Sequence, residues 1–303
     1  MAGRRRESGL KRAHFAEPGT AALLLLPQLG ILLLFFFIPS IRALAQSFLL
    51  SDPFGTTVQF VWFDNFAALF RSPEYRDSIW VTVWFTLAQS ALTLAIAGVL
   101  AFATDRVIRL RSAYKMVLLL PYAIAPAIAG ILWAFLFNPA VGPIAHALHA
   151  VGIPWNPNLN ATDALVLVTL AATWKHICYD YIFLVAALLA MPQSLLEAAA
   201  VDGAGPLRRF FLIAMPMIGP TIFFLVVMNF VYGFFDTFAI IDAVTRGGPA
   251  GATNILVYKV YQDGFVNLDL GSSAAQSVIL MLSALLLTLL QFRYVERKVN
   301  YDV

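Results

Sequence analysis

The chain alternates long apolar stretches with short polar connections. Six stretches reach the length of about 20 mostly apolar residues that a bilayer-crossing helix needs. They run over roughly 21–47, 79–104, 114–137, 164–190, 217–241 and 274–292. Backbone in lipid must satisfy its own hydrogen bonds, so all six are predicted to be helical. The predicted fold class is an all-α membrane protein with six transmembrane helices. It divides into a tail 1–20, a transmembrane domain 21–292 and a tail 293–303. The third stretch holds Pro121 and Pro126, which free backbone carbonyls and predict a kink.

The connections set the orientation. Arg4, Arg5, Arg6, Lys11 and Arg12 precede the first stretch. Arg106, Arg109, Arg111 and Lys115 lie between the second and third, Arg208 and Arg209 between the fourth and fifth, and Arg293, Arg297 and Lys298 after the sixth. These regions carry 14 of the 20 basic residues, so the positive-inside rule makes both termini and the loop 191–216 cytoplasmic. A basic start followed by an apolar run and Ala43-Leu44-Ala45 has the outline of a signal peptide. The run is too long for one, and an uncleaved first span is expected. Segments 48–78, 138–163 and 242–273 then face outward. Within the last, Ile255 to Tyr261 reads as a short interfacial helix with Tyr258 and Tyr261 at headgroup level.

Composition agrees. Apolar residues make up 60% and charged residues 12%, against about 25% charged in a soluble domain. Mean hydropathy is +0.79. A net charge of +3 leaves no footprint for nucleic acid, and none is expected as a partner. The lone Cys178 excludes an intrachain disulfide and a cysteine metal site. His14, His146, His149 and His176 are scattered, so no metal site is expected. The chain contains no phosphate-binding glycine loop of the G-x-x-x-x-G-K-[ST] type, no H-E-x-x-H and no G-x-S-x-G.

Polar residues inside the stretches are the candidate chemistry. The fourth carries Trp174-Lys175-His176-Ile177-Cys178-Tyr179-Asp180-Tyr181 close to the bilayer midplane. A charge there costs at least ~2.5 kcal/mol on insertion scales and must face protein or water. Lys175 and Tyr179 share one helix face, and His176 and Asp180 are spaced to pair. Lys175 is a candidate cation for an anionic solute; the alternative is a self-satisfied cluster that fixes packing. In the fifth stretch Asn229, Tyr232 and Asp236 fall on one face, with Gly233 allowing a close neighbour. That stripe can line a path shared with the fourth stretch or bond between helices.

The loop 191–216 is the most specific signal. Ser194 and Glu197 have capping-box spacing, predicting a helix from Leu195. Gly203 can stop that helix, Gly205 loosens the joint, and Pro206 suits the start of a second. Pro216 marks the return to the membrane. Two short helices at an angle make a knob that can fill a groove on another protein.

Glu197, Ala198, Ala199, Asp202, Gly203, Ala204, Phe210, Ile213, Pro216 and Pro220 together resemble the EAA loop of ABC importer permeases of the binding-protein-dependent family. Through that loop such a subunit grips its ATPase. Pro121, Pro126 and Trp133 resemble the same family, as do Asp52-Pro53-Phe54-Gly55, Phe234-Phe235-Asp236-Thr237-Phe238, Gly247-Gly248-Pro249 and the run Leu268 to Ser277. This set is similar to the A-type permease subunits of bacterial sn-glycerol-3-phosphate importers. The resemblance implies a type I importer fold in the bacterial inner membrane. It implies a heterodimer with a second permease, two ATP-binding subunits that hold ATP and Mg, and a periplasmic solute-binding protein. No cofactor would sit on this chain. The cargo implied is sn-glycerol-3-phosphate, with glycerophosphodiesters as a further substrate. Sugar and polyol importers share much of the pattern and form the alternative. A membrane enzyme is more distant, because only Lys175, His176 and Asp180 could supply a nucleophile and base. A passive channel would not need the knob.

Overall fold

The computed structural model describes residues 18–51, 57–106 and 111–298. The basic segment 1–17, Arg109 and Asp52-Pro53-Phe54-Gly55 lie outside the described residues. The chain is helical apart from a two-stranded antiparallel ribbon, Leu49–Ser51 with Val58–Phe60, in which Leu49 faces Phe60. Four helices are long and apolar enough to cross a membrane unaided: Leu23–Gln46, Pro73–Thr104, Gly219–Asp236 and Leu270–Gln291. Two bent pairs bring the number to six.

The bent pairs correct the expected outline. The third stretch is broken rather than kinked: Arg111–Ala123 and Pro126–Leu136 meet at 104°. Pro126 offers no N–H to the turn before it, so the first helix cannot continue. The fourth span, Ala161–Ala190, is capped by the Asn160 carboxamide, which accepts from the Thr162 amide at 2.9 Å. It turns by 72° into Gln193–Val201.

The second span, Pro73–Arg106, packs along the fourth and makes the axis of the bundle. A stripe of small residues permits that closeness: Thr82, Thr86, Ser90, Thr93, Ala97, Ala101 and Thr104 are all buried. Around the axis lie two apolar clusters. One joins Phe85, Val168, Tyr232, Ile240 and Ile255. The other, toward the 191–216 loop, joins Ala97, Tyr181, Leu184, Ala214 and Leu225. The first span is different: none of residues 23–46 is buried, and its main packing partner is the sixth.

The helix expected within Ile255 to Tyr261 forms, and part of it is buried in the protein. Leu256–Tyr261 turns inward, with Leu256, Tyr258 and Lys259 buried. The Leu256 amide donates to Thr82 Oγ1 at 2.8 Å, and Lys259 Nζ lies 3.1 Å from Asp263 Oδ2. Gln276 Nε2 of the sixth helix donates to that same oxygen at 2.6 Å. Tyr261 stays exposed, while Tyr258 is buried. Burial, then the adjacent Asp242, push its phenol above the usual range.

Candidate functional site: a coupling knob and a buried polar cluster on consecutive helices

The fourth span ends at Met191 and Pro192, both extended, and Gln193 opens the next helix. This start precedes the expected one by two residues. Ser194 therefore lies inside the first turn, and no side chain caps the helix, so the capping box is not formed. The other end matches expectation closely. Gly203 has φ +78°, the left-handed conformation that glycine adopts without strain. Its amide donates to Ala200 O at 3.1 Å, and the Ala204 amide to Ala199 O at 2.9 Å. Those two bonds are the Schellman arrangement, which satisfies the carbonyls a helix end leaves free.

Pro206 opens the second arm, Pro206–Arg209, which widens into a π turn at Phe210–Ala214. Pro216 sits in the short turn Met215–Met217, and the fifth span begins only at Gly219. A proline deprives the carbonyl four residues before it of a donor, which suits the widened turn at that point. Arg209 Nη1 donates to Leu196 O at 3.2 Å and ties the two arms. A cavity of about 90 Å³ lies behind them, against Phe102 and Leu188. Glu197, Ala198, Asp202, Gly203 and Pro216 are exposed, while Ala199 and Ala204 are half-buried. Val201 is 88% exposed. The loop is a knob whose outer face this chain leaves uncovered.

In the polar cluster of the fourth span the side chains are committed inward. Lys175 Nζ donates to Tyr122 O at 2.9 Å and Pro121 O at 3.1 Å, at the end of the first limb of the broken third span. It also lies 5.2 Å from the centre of the Tyr122 ring. Asp180 is fully buried and its Oδ2 accepts from Asn229 Nδ2 at 2.7 Å. Gln89 Nε2 of the second span donates to Asn229 Oδ1 at 3.1 Å and to Thr93 Oγ1 at 2.9 Å. Three spans thus meet in one buried polar chain.

The expected His176–Asp180 pair is loose, with Nε2 and Oδ1 4.0 Å apart and no hydrogen bond between them. His176 instead stacks between Tyr232, at 3.9 Å between ring centres, and Tyr179, at 5.2 Å. Tyr179 in turn meets Phe183 at 4.8 Å. The Asn229–Tyr232–Asp236 stripe is split. Asn229 and Tyr232 are buried against the fourth span, and Asp236 is exposed. The cause is the π turn Tyr232–Asp236, which advances the helix by more than 3.6 residues per turn and carries Asp236 off the face. Gly233 does allow a close approach: a Cβ there would lie 2.7 Å from Thr86 Oγ1.

Gln89, Thr93 and the Pro121 and Tyr122 carbonyls escaped the sequence reading. Gln89 and Thr93 carried a signal, since they are four apart and polar within an apolar span. The carbonyls carried one too, because Pro126 stands four residues after Tyr122 and can give it no proton. Among the described residues, no group of three or more His, Cys, Asp and Glu is placed to hold a metal.

A six-span bundle with a two-armed knob between the fourth and fifth spans is the architecture of an ABC importer's membrane component. Residues 94–301 match the family described as binding-protein-dependent transport system inner membrane component, and the chain belongs to that family. It is therefore an inner-membrane transport component and not an enzyme. Among named relatives, it is 53% identical to the sn-glycerol-3-phosphate transport system permease protein UgpA of Brucella abortus biovar 1 (strain 9-941), over 97% of this chain and 100% of that one. It is 51% identical to the protein of the same name from Rhizobium meliloti (strain 1021), over 96% of this chain and 100% of the other. In fold it is similar to a chain of a bacterial ABC transporter involved in the import of the acidic polysaccharide alginate, with a TM-score of 0.80 and 22% identity, covering 93% of this chain and 96% of that one. That alginate transporter has also been crystallised with an alginate pentasaccharide-bound periplasmic protein; this second match has a TM-score of 0.78 and 22% identity over 90% of this chain and 92% of that one.

Proposed function

We propose that this chain is a permease subunit of an ATP-driven importer that carries sn-glycerol-3-phosphate, and glycerophosphodiesters as a further substrate, into the cytoplasm by alternating access. Its partners are a second permease, two ATP-binding subunits that hold ATP and Mg, and a periplasmic binding protein that docks on the outward segments, 242–273 among them. Both termini and the 191–216 loop face the cytoplasm.

The observation that carries the coupling role is the uncovered knob, Gln193–Val201, joined end to end with the fourth span. Seated in a groove of the ATPase, the knob passes the closing motion of the nucleotide-bound ATPase pair into the fourth span and, through the second arm, into the fifth. Ala198 and Ala199 keep its surface smooth, Gly203 sets the bend, and Glu197 and Asp202 offer charges to the partner. The substrate follows the names of relatives at about half identity over nearly the whole chain. Lys175, His176, Tyr179, Asp180, Asn229, Tyr232 and Asp236 are the residues of the path or its immediate wall. Asp236 is exposed, and Tyr179 and His176 are half-buried. A sugar or polyol importer is the second reading. The engagement of Lys175 by carbonyls favours it, since that cation is not idle.

ATPase activity of the reconstituted complex, with binding protein loaded by sn-glycerol-3-phosphate or by maltose, decides between them. Stimulation by the phosphoester alone is expected; stimulation by the sugar alone would move this chain to the sugar branch.

A further inference from the structure

We infer that Lys175 is a latch on the break in the third span, its ammonium exchanged between the carbonyls of Pro121 and Tyr122 and an anionic group of the transported solute. The inference rests on the reading of the chain as a phosphoester permease.

Three observations lead to it. First, the break creates the acceptors. Tyr122 O would take its helical bond from residue 126, a proline without an N–H. Pro121 O receives only a long 3.4 Å bond from the Ile124 amide. Both carbonyls belong to a helix C-terminus, the negative end of its dipole, and apolar surroundings make unpaired carbonyls costly. Second, Lys175 from the neighbouring span supplies both missing donors, at 2.9 and 3.1 Å. It is the one cation in the apolar core of the fourth span. Third, these partners leave its charge unneutralised. Asp180, the carboxylate of the same span, bonds Asn229 through Oδ2, and no described carboxylate pairs with Lys175.

An ammonium held by two neutral carbonyls is a partial solution. Its bonds to the carbonyls are charge-assisted only on the donor side; a phosphate oxygen adds the opposite charge, whose attraction is strong in low-dielectric surroundings. Tyr122, which covers Lys175, is 62% exposed, so an anion can approach along this edge. When the ammonium turns to the phosphate, the 121–122 carbonyls lose their donor and the 104° corner is released. From Lys175 the fourth span continues for about four turns to Ala190 and then into the knob. The latch and the ATPase contact thus stand on consecutive helices joined at the 72° bend. A neutral polyol has no charge with which to draw the ammonium away.

The test uses the complete complex in lipid nanodiscs, with Cys178→Ser and spin labels at Val117 and Ile131, exposed positions on the two limbs of the third span. Distance distributions are measured without solute, with sn-glycerol-3-phosphate and with glycerol, for Lys175, Lys175→Met and Lys175→Arg. Expected is a single narrow distribution for the native lysine, a second population with the phosphoester and no change with glycerol. Lys175→Met should be broad from the start and indifferent to solute, and Lys175→Arg should restore the response. A native distribution that ignores the phosphoester overturns the exchange, since a purely structural cap would behave so. A narrow, still responsive Lys175→Met overturns the latch. Stimulation of ATPase by phosphoester-loaded binding protein is read in the same discs. Its absence overturns the transport reading and the latch with it, whereas stimulation with an unmoved corner overturns the latch alone.

Discussion

The knob and the polar cluster of the fourth span stand on consecutive helices and are built in opposite ways. The knob is held by its own backbone: the bonds that shape it run from Gly203 to Ala200 and from Ala204 to Ala199. Its side chains, Glu197 and Val201 among them, are left exposed. The polar cluster is held by side chains that reach other spans. Lys175 bonds a residue 53 positions away, Asp180 one 49 away, and Gln89 one 140 away. A part that must fit another protein keeps its shape without spending its side chains. A part buried among the spans is tied together by side chains that cross between helices, although Asp180 Oδ1, His176 Nε2 and Gln89 Oε1 are left without a hydrogen bond.

That contrast breaks most visibly at Asn229. Asn229→Leu leaves Asp180 and Gln89 buried without their shared partner, at a cost of about 1–3 kcal/mol for each group orphaned. The expected result is the largest loss of thermal stability of any single change discussed here, measured on the purified complex in detergent. Unchanged stability would show that the buried chain is not structural. Gly233→Ala comes next, because its Cβ would press on Thr86. Overpacking of this kind costs typically about 1–3 kcal/mol. Thr86→Ala should return much of it, and a double-mutant cycle that gives simple additivity would contradict the contact. Ser194→Ala is the smallest. A true capping box would lose about 1 kcal/mol, but the helix begins at Gln193 and Ser194 caps nothing. Stability and ATPase activity should both stay unchanged.

The same contrast explains what the sequence revealed. Spans were legible because apolar length is a local property, and the stop at Gly203 because a left-handed turn leaves a residue signature. The third span showed its prolines but not its 104° corner, since angle depends on what receives the freed carbonyls, and the receiver is Lys175 on another span. Asp236 was misplaced for a related reason. The face was drawn with an ideal turn, and the π turn at Tyr232–Asp236 shifted it. Ser194 misled because Pro192 lets the helix start early, which made a good cap residue into an interior one. The burial of Tyr258 was not legible because its neighbours Phe238 and Gly247 come from other parts of the chain.

Coupling through the knob is most directly tested at Gly203. A residue with a Cβ at φ +78° is strained by about 1–2 kcal/mol, while the space around it is open, so the strain stays in the turn. Gly203→Val should therefore leave assembly and the thermal stability of the spans nearly unchanged. Its ATPase activity should no longer rise when loaded binding protein is added to the reconstituted complex. Full stimulation in that variant would contradict transmission through the 191–216 loop.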